Sequence, residues 1–264
     1  INLCNSGIMM INKKSFFNNI KKININKKKK ERFLPDIFEI YFKKQIPFSI
    51  SIAKEDEMIG INNLNDFNKV DKILQRRLIN KFINKGVLIK KPDSCYFSYD
   101  TQISKNVTIE PNVNIRNNVV IKSGSVIKNY SDLEGVLVYE DCAIGPHARI
   151  RSRSIIRKNC KIGNYVEVKN STIGRDTSIS HLAYVGDSLV GKEVNIGAGT
   201  ITCNYDGANK NQTIIENNAF IGSNCSLIAP IKIGKNVKIG AGSVINKDIP
   251  HNKLVIRRPK LKIY

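Results

Sequence analysis

Residues 144–168 read IGPHARIRSRSIIRKNCKIGNYVEV, and every sixth position of this stretch is isoleucine or valine. The same spacing recurs on both sides of the stretch. The whole ladder comprises Ile103, Ile109, Ile115, Ile121, Ile127, Ile144, Ile150, Ile156, Ile162, Val168, Ile221, Leu227, Ile233, Ile239 and Ile245. Branched aliphatic residues at one inward position of a six-residue repeat indicate a chain that turns a corner every six residues. An amphipathic helix needs apolar residues at a spacing of about 3.6, which strict sixes do not fit.

Three such turns form one coil of a triangular prism, and a coil must stack on its neighbours to bury its aliphatic face. Glycine directly follows several rungs of the ladder, at Gly145, Gly163, Gly197, Gly222, Gly234 and Gly240. We expect these glycines because a Cβ atom would hinder the corner conformation. The sequence therefore predicts a mainly β fold, a left-handed parallel β-helix built from hexapeptide repeats.

The chain before the repeats has a different pattern. Apolar residues recur every three or four positions between Leu64 and Lys85, which predicts one amphipathic helix with Gly86 just past its end. The residues before this helix read as mixed α/β, with a helix expected over 36–43 and a strand near 46–52. We therefore divide the chain into an α/β segment (1–64), a helical linker (65–85) and the β-helix (86–264).

The composition narrows the class of protein. The 43 Lys and Arg residues outnumber the 22 Asp and Glu residues, which gives a net charge of +21. The basic residues are spread along the whole chain without an aromatic-interleaved stripe, so we expect no nucleic-acid partner and no specific membrane binding, although a weak attraction to polyanions or acidic membranes stays open. No apolar run approaches eighteen residues and no signal-peptide pattern is present, so a cytoplasmic protein is expected.

The six cysteines show no CxxC pairing, and the three histidines have no metal-ligand spacing, so neither a zinc site nor a redox centre is indicated. We interpret the cysteines as buried free thiols. The hexads loosen between Asn129 and Glu140 and are broken by a polar insertion between Gly199 and Thr213. Because loops that project from a solenoid commonly carry function, we look for chemistry near the insertion.

The polar residues in this region suggest acyl transfer to an amine. His181 is a candidate general base, although a surface histidine is an equal interpretation. Arg151, Lys169 and Lys210 would bind a phosphate if the coils bring them together, but they are three of 43 basic residues. Backbone N–H groups at the corners of the coils and the hydroxyl of Ser223 could stabilise the oxyanion that develops when a carbonyl is attacked.

Three runs in this region resemble a known family. They are GNYVEVK (163–169), HLAYVGD (181–187) and VNIGAGTITCNYDGANK (194–210). They resemble the acetyltransferase half of the bacterial bifunctional UDP-N-acetylglucosamine pyrophosphorylase/glucosamine-1-phosphate N-acetyltransferase, the GlmU family. Residues 5–7 and 60–63 resemble the last motifs of the family's uridylyltransferase half, so that segment 1–64 would be the remnant of a nucleotidyltransferase domain.

The resemblance implies that acetyl-CoA, as cosubstrate, acetylates the amine of glucosamine-1-phosphate within a homotrimer whose sites are shared between subunits. The product would feed UDP-N-acetylglucosamine and hence precursors of the cell envelope. His181 would be the catalytic base, with Glu167 orienting or polarising the site. The sugar phosphate would be held by Arg151, Lys169, Tyr184, Asn195 and Lys210. Acetyl-CoA would be contacted by Ala198, Asn204, Tyr205, Ser223, Ala241 and Arg258.

Two departures from the family qualify these expectations. The family has Arg-Pro-Gly where this chain has Arg151-Ser152-Arg153, so the local turn is expected to differ. In the first half only Asn5, a sugar-nucleotide contact, and Asn62, a Mg²⁺ ligand, have counterparts. A lone asparagine does not hold Mg²⁺ without carboxylate and phosphate partners, so we expect that the chain as given does not transfer a uridylyl group.

Two alternatives to this enzyme remain open from the sequence. One is a structural or binding solenoid whose catalytic half has decayed. The other is a hexapeptide acyltransferase with a different acceptor, because spacing alone does not name an acceptor.

Overall fold

The computed structural model of the chain describes residues 4–257. The chain forms two compact units, of which the first ends at Val70 and the second begins at Asp71. The helices are α1 (Lys13–Asn19), α2 (Ile37–Lys43) and α3 (Leu64–Asn84), and α3 begins in the first unit and ends in the second. In the part of the chain that the structure describes, no helix is long and apolar enough to cross a membrane.

The first unit has a small core of its own. Ile23, Ile37 and Tyr41 are buried there, and Ser15 Oγ donates a hydrogen bond to Tyr41 Oη at 3.0 Å. The strand expected over 46–52 is wrong, because this segment pairs with no strand and its Ile50 and Ile52 are 78% and 75% exposed. Pro47 lacks an N–H for a ladder, and no neighbouring strand buries the aliphatic side chains.

The second unit consists almost entirely of very short strands. They are β1 Leu88–Ile89, β2 Tyr96–Phe97, β3 Gln102–Ile103, β4 Thr108–Ile109, β5 Asn114–Ile115, β6 Val120–Ile121, β7 Val126–Ile127, β8 Asp132–Leu133, β9 Val136–Val138, β10 Ala143–Ile144, β11 Arg149–Ile150, β12 Ser154–Ile156, β13 Lys161–Asn164, β14 Glu167–Lys169, β15 Thr172–Ile173, β16 Ser178–His181, β17 Tyr184–Gly186, β18 Ser188–Val190, β19 Asn195–Ile196, β20 Ile201–Cys203, β21 Thr213–Ile215, β22 Phe220–Ile221, β23 Ser226–Ile228, β24 Ile231–Ile233, β25 Lys238–Ile239, β26 Val244–Ile245 and β27 Leu254–Val255.

From β1 to β26 every third strand belongs to the same sheet, β27 joins the first sheet beside β25, and all these ladders are parallel. The first sheet runs from β1 through β4 to β25 and β27, the second from β2 through β5 to β26, and the third from β3 through β6 to β24. Ladder residues face the interior and are buried, as Ile109, Ile115 and Ile121 are. The prediction of a parallel β-helix is confirmed, because only stacked coils of three strands produce this strand order.

The length of one coil explains why the hexads are uneven. Ile103 pairs with Ile121 and Ile121 pairs with Val138, so successive coils have 18 and 17 residues. The loosening expected between Asn129 and Glu140 is present as one step of five residues, from Leu133 to Val138, and β8 and β9 continue the coil through it. The predicted insertion is present, and it lies between β20 and β21.

The glycines after the ladder have a different role from the one expected. Gly145 has a φ of +94°, as a corner requires, but Gly163, Gly197, Gly222 and Gly234 do not have a positive φ. A Cβ at Gly163 would lie 1.9 Å from Ser180 O, the backbone of the next coil. Glycine is needed at these positions because the coils approach too closely for a side chain. The left-handed conformation at the corners is adopted mainly by asparagine and aspartate, at Asn106, Asn112, Asn118, Asp141, Asn159, Asp176, Asn218, Asn224 and Asn236.

The second half of α3 covers the base of the β-helix. Leu78, Ile79 and Phe82 are buried in the solenoid core, and the Phe82 and Phe97 rings lie 5.2 Å apart. The amide of Gln75 donates to Phe97 O at 2.9 Å and accepts from Phe97 N at 3.0 Å. This side chain therefore satisfies the backbone of β2, which is the terminal strand of the second sheet.

Candidate active site

One corner of the prism aligns a column of candidate residues. The register pairs Ile162 with Ile179, Ile179 with Ile196, Ile196 with Ile221 and Ile221 with Ile239. Two positions after each of these residues, the chain places Asn164, His181, Ala198, Ser223 and Ala241. Because strands in a sheet lie about 4.8 Å apart, the small residues form a track that rises from His181 over three coils.

The imidazole of His181 is exposed at the end of β16 and is oriented by the coil below it. Its Nδ1 atom lies 2.5 Å from Oδ1 of Asn164, which is at the end of β13. A carbonyl oxygen accepts, so Nδ1 carries the proton and donates it to this hydrogen bond. The lone pair is then on Nε2, the tautomer in which histidine acts as a base through its outer nitrogen.

Glu167 contacts arginine in this chain. Its Oε1 accepts a hydrogen bond from Arg151 Nη1 at 2.8 Å, and both side chains are partly exposed. Glu167 begins β14, and Arg151 directly follows β11, the neighbouring strand of the second sheet, in which Arg149 pairs with Glu167. Glu167 therefore holds the guanidinium in place, whereas Asn164 orients the histidine.

The three cations that the sequence singled out do converge. Lys210, on the loop after β20, lies beside Lys169, and its hydrogen bond and its charge lower the pKa of the Lys169 amine, with help from partial burial and from Arg151. The charge of Asp187 acts in the opposite direction on the same amine. Like charges held together in this way favour an anionic ligand, such as a phosphate, that would relieve their repulsion.

Asp187 connects the cations to the insertion. Its carboxylate accepts hydrogen bonds from the amides of Asn170 and Asn204. Partial burial raises the pKa of Asp187, but these two hydrogen bonds and the charges of Lys169 and Lys210 together hold it below its ordinary value. Asp187 is therefore an anion that holds Asn204 and whose charge acts on both lysines.

Tyr184 lies across the same face because Gly186 leaves room for it. A Cβ at Gly186 would lie 2.4 Å from the Tyr184 hydroxyl oxygen. The hydroxyl is 3.5 Å from Nδ2 of Asn204. Tyr184 thus lies between His181 at one corner and the cations at the next.

The loop after β20 is held by its own hydrogen bonds. Asp206 Oδ1 accepts from the N–H groups of Ala208 and Asn209 at 2.9 and 2.7 Å, and these bonds lower the pKa of Asp206. The Tyr205 hydroxyl donates to Gly207 O at 2.6 Å, and Tyr205 also forms an antiparallel bridge with Lys210. This internal order fixes the position from which Lys210 reaches Lys169.

Two of the expected site residues stand apart. Asn195 pairs with Ser178 at the start of β19, three positions along the strand from the corner of His181, so one chain does not bring it to the cations. Arg258 lies outside the described residues. Arg153 adopts a φ of +64°, a conformation that favours glycine, and it lines a cavity of about 370 Å³ together with Asp187 and Lys210.

Two family models match the β-helix. Residues 132–205 match the GMPPB C-terminal domain, and residues 212–247 match the bacterial transferase hexapeptide of six repeats. The two matches lie on either side of residues 206–211 of the insertion.

Curated relatives match along nearly the whole chain. The bifunctional protein GlmU of Bartonella bacilliformis is 43% identical over 260 residues, which are 98% of this chain and 58% of that protein. The bifunctional protein GlmU of Wolbachia pipientis wMel is also 43% identical, over 258 residues, 98% of this chain and 60% of that protein. This chain belongs to the GlmU family. It spans somewhat more than half the length of these GlmU relatives.

Among solved structures, the UDP-N-acetylglucosamine acyltransferase of Arabidopsis superposes on the GlmU-family chain with a TM-score of 0.48. The two are 18% identical, and the match covers 65% of this chain and 66% of the other.

The residues expected to serve the uridylyltransferase half of GlmU do not form a metal site. Asn62 is exposed, its N–H donates to Asp66 Oδ2 at 3.2 Å, and Asn5 Oδ1 accepts from the N–H of Gly7 at 2.8 Å. Within residues 4–257 no three His, Cys, Asp or Glu side chains are grouped so that they could hold a metal ion. These donors do not fit Mg²⁺, which requires several oxygen ligands in octahedral geometry.

Sequence reasoning missed three residues that organise the site, namely Asn164, Asn170 and Asp187. Each lies inside or next to a quoted run, but asparagine and aspartate are common in this chain. The available signal was the coil length, because both Asn164 with His181 and Asn170 with Asp187 are separated by 17 residues. The cysteine interpretation is confirmed for Cys95, Cys142, Cys160 and Cys225, which are buried free thiols, whereas Cys4 is exposed and Cys203 half-buried.

Proposed function

We propose that this chain transfers the acetyl group of acetyl-CoA to the amine of glucosamine-1-phosphate. The observation that carries the proposal is the arrangement of a histidine base at one corner with Arg151, Lys169 and Lys210 converging at the next. One corner suits an amine and the other suits a phosphate, and an amino-sugar phosphate carries both groups. Membership of the GlmU family supports this choice of acceptor.

In the reaction, Nε2 of His181 takes a proton from the acceptor amine. The nitrogen lone pair then attacks the thioester carbonyl, so that a C–N bond forms and the C–S bond breaks. The imidazolium returns its proton to the sulfur that leaves. Asn164 holds the ring in the required tautomer throughout, because its Oδ1 atom accepts from Nδ1.

The donor would lie along the corner track. Ala198, Ser223 and Ala241 stand above His181 in register, and their small side chains leave space for an extended acyl-carrying arm. The exposed hydroxyl of Ser223 is available as a hydrogen-bond donor. This placement brings a thioester at the base of the track next to Nε2.

The complete site would be shared between copies of the chain. Asn195 lies on the first sheet, away from the cations of the second sheet, and only another copy could present its amide to the acceptor. A homotrimer, as the sequence resemblance implies, would place one chain's Asn195 beside the next chain's Lys169.

Release of free CoA from acetyl-CoA tests the proposal, with and without glucosamine-1-phosphate. We expect release that requires the sugar phosphate and that falls by about 10²-fold or more in His181→Ala, because a positioned base contributes about 10² to 10⁴. Release with another amino sugar but not with glucosamine-1-phosphate would indicate a different acceptor. No release from the folded protein would support a structural solenoid instead.

A further inference from the structure

A second cavity lies at the base of the β-helix, separate from the acetyl-transfer site. Its volume is about 730 Å³, which is within the range of small-molecule sites. Polar side chains dominate its lining, among them Lys81, Lys85, Thr101, Gln102, Lys105 and Lys122. The cavity lies beside β3 and β6. His181 ends β16, which is four coils along the first sheet from β4, the strand in the same coil as β6, or about 19 Å away.

The fold forces Lys85 and Lys105 together. Gly86 has a φ of +84° and ends the helix, and its carbonyl accepts from the N–H of Asn106 at 2.9 Å. A Cβ at Gly86 would lie 3.6 Å from Cβ of Lys105. Lys81 precedes Lys85 by four residues, so it lies on the same helix face one turn earlier.

The first coils supply the other side of the cavity. Ile103 pairs with Ile121, and the N–H of Ser104 donates to Ile121 O at 2.9 Å. Lys105 and Lys122 therefore lie on neighbouring coils, and Ser123 Oγ donates to Lys105 O at 3.0 Å between them. Lysines from three segments thus face one space.

These four lysines have no carboxylate partners. The lining contains no aspartate or glutamate, and within residues 4–257 none of the four lysines forms an ion pair. Nearby cations are neutralised, since Lys90 pairs with Glu110 at 3.0 Å and Arg116 with Asp132 at 2.8 Å. Ammonium groups that line one cavity without carboxylate partners repel one another, and a bound polyanion would reduce that repulsion.

The cavity also borders β3, the terminal strand of the third sheet.

We propose that the cavity between the end of α3 and the first coils binds a polyphosphate group, either an inorganic polyphosphate or the phosphates of a nucleotide. Lys81, Lys85, Lys105 and Lys122 bind the phosphate oxygens by charge-assisted hydrogen bonds. An open cavity with four converging cations fits a compact anion better than an extended nucleic-acid strand, which needs a continuous basic groove. This inference does not depend on the proposed acetyl transfer.

Calorimetric titration of the whole chain tests the proposal, with inorganic phosphate, tripolyphosphate and adenosine triphosphate as separate probes. The double variant Lys105→Gln/Lys122→Gln removes two lining charges. The matched control Lys161→Gln/Lys238→Gln removes two exposed charges elsewhere on the β-helix. We expect tripolyphosphate to bind once per chain, at least about tenfold more weakly to the double variant, with no change in the control.

A nucleotide that binds more tightly than tripolyphosphate, with the same loss in the double variant, identifies the nucleotide as the ligand, and equal affinities identify the polyphosphate group alone. Equal losses in the double variant and the control overturn the proposal, because the attraction is then to the net charge. Binding of a single-stranded oligonucleotide without binding of tripolyphosphate overturns it in favour of nucleic acid.

Discussion

At the residue scale, the chemistry depends on which atoms of polar side chains are already occupied. His181 Nδ1 is hydrogen-bonded to Asn164, Glu167 is hydrogen-bonded to Arg151, and the carboxylate of Asp187 accepts from two amides. The Nε2 atom of the imidazole and the amines of Lys169 and Lys210 are then available to contact a substrate. The sequence indicated His181 and the amines, but it did not indicate their partners, because a partner one coil away is defined by three-dimensional stacking.

We expect Asn164→Ala to lower kcat of acetyl transfer by about 10 to 10²-fold with a smaller change in KM, since the base is then free to rotate and to change tautomer. Asn164→Asp keeps an acceptor for Nδ1 and should recover much of the rate. Its added negative charge favours the imidazolium, so the acidic limb of the pH–rate profile should move to higher pH. Equal rates in Asn164→Ala and in the unaltered chain would show that this amide does not position His181.

The Lys169 amine gives a prediction about protons. Lys210 lowers the pKa of Lys169, so at alkaline pH more of this amine is neutral in the free protein than in an ordinary lysine. A bound phosphate dianion raises the pKa again, so binding should take up protons at alkaline pH. The uptake through this amine should become smaller as the pH falls toward neutrality. Calorimetry of glucosamine-1-phosphate binding in two buffers of different ionisation enthalpy measures the uptake. Lys169→Gln should remove it, and uptake that persists in this variant would place the titrating group elsewhere.

At the element scale, the hexad repeat and the insertion between Gly199 and Thr213 are stabilised in different ways. The hexads predicted the β-helix because inward aliphatic residues must stack, and Ile150, Ile156 and Ile162 are indeed fully buried. The loosened hexads indicated where one five-residue step lies, but they did not show that β9 continues the coil with one residue fewer at a corner. The insertion has no period at all, and its conformation is held by side-chain contacts of Asp206 that only the structure reveals.

The role of Asp206 can be tested directly. Asp206→Ala removes the acceptor of two backbone N–H groups and of the Asn211 amide, so the loop should lose its fixed conformation. We expect KM for the sugar phosphate to rise by about 5- to 20-fold while the melting temperature changes little, because the loop is exposed and Lys210 is no longer held beside Lys169. Asp248→Ala, in an exposed segment far from this loop, is the control. A loss of stability without a change in KM would contradict a positioning role.

At the scale of the whole molecule, one chain brings together two corners of the proposed site, but its own Asn195 lies away from them. The coil geometry places this residue on another face of the prism, and the same geometry holds for every copy of the chain. A cyclic assembly solves the problem because each copy then supplies one face to its neighbour.

Mixing two defective chains tests the shared site. His181→Ala and Asn195→Ala should each be poorly active alone, but a trimer that contains both variants should have one intact site of three, and so about a third of the normal rate. Co-expression with two affinity tags isolates the mixed assemblies, and the rate of CoA release measures the recovery. Mixed trimers no more active than the two parents would place the complete site within one chain.

The corner column has one more consequence, which concerns length. The register of the first sheet sets His181, Ala198, Ser223 and Ala241 one coil apart, and Arg257 follows at the next level. The column therefore has a regular spacing of about 4.8 Å, and its last residue lies about 19 Å from the histidine along the axis of the β-helix. A donor that lies along the column is matched to its length in steps of one coil. Inserting or deleting one complete coil would keep the side chains aligned, but it would change the length of donor that reaches His181.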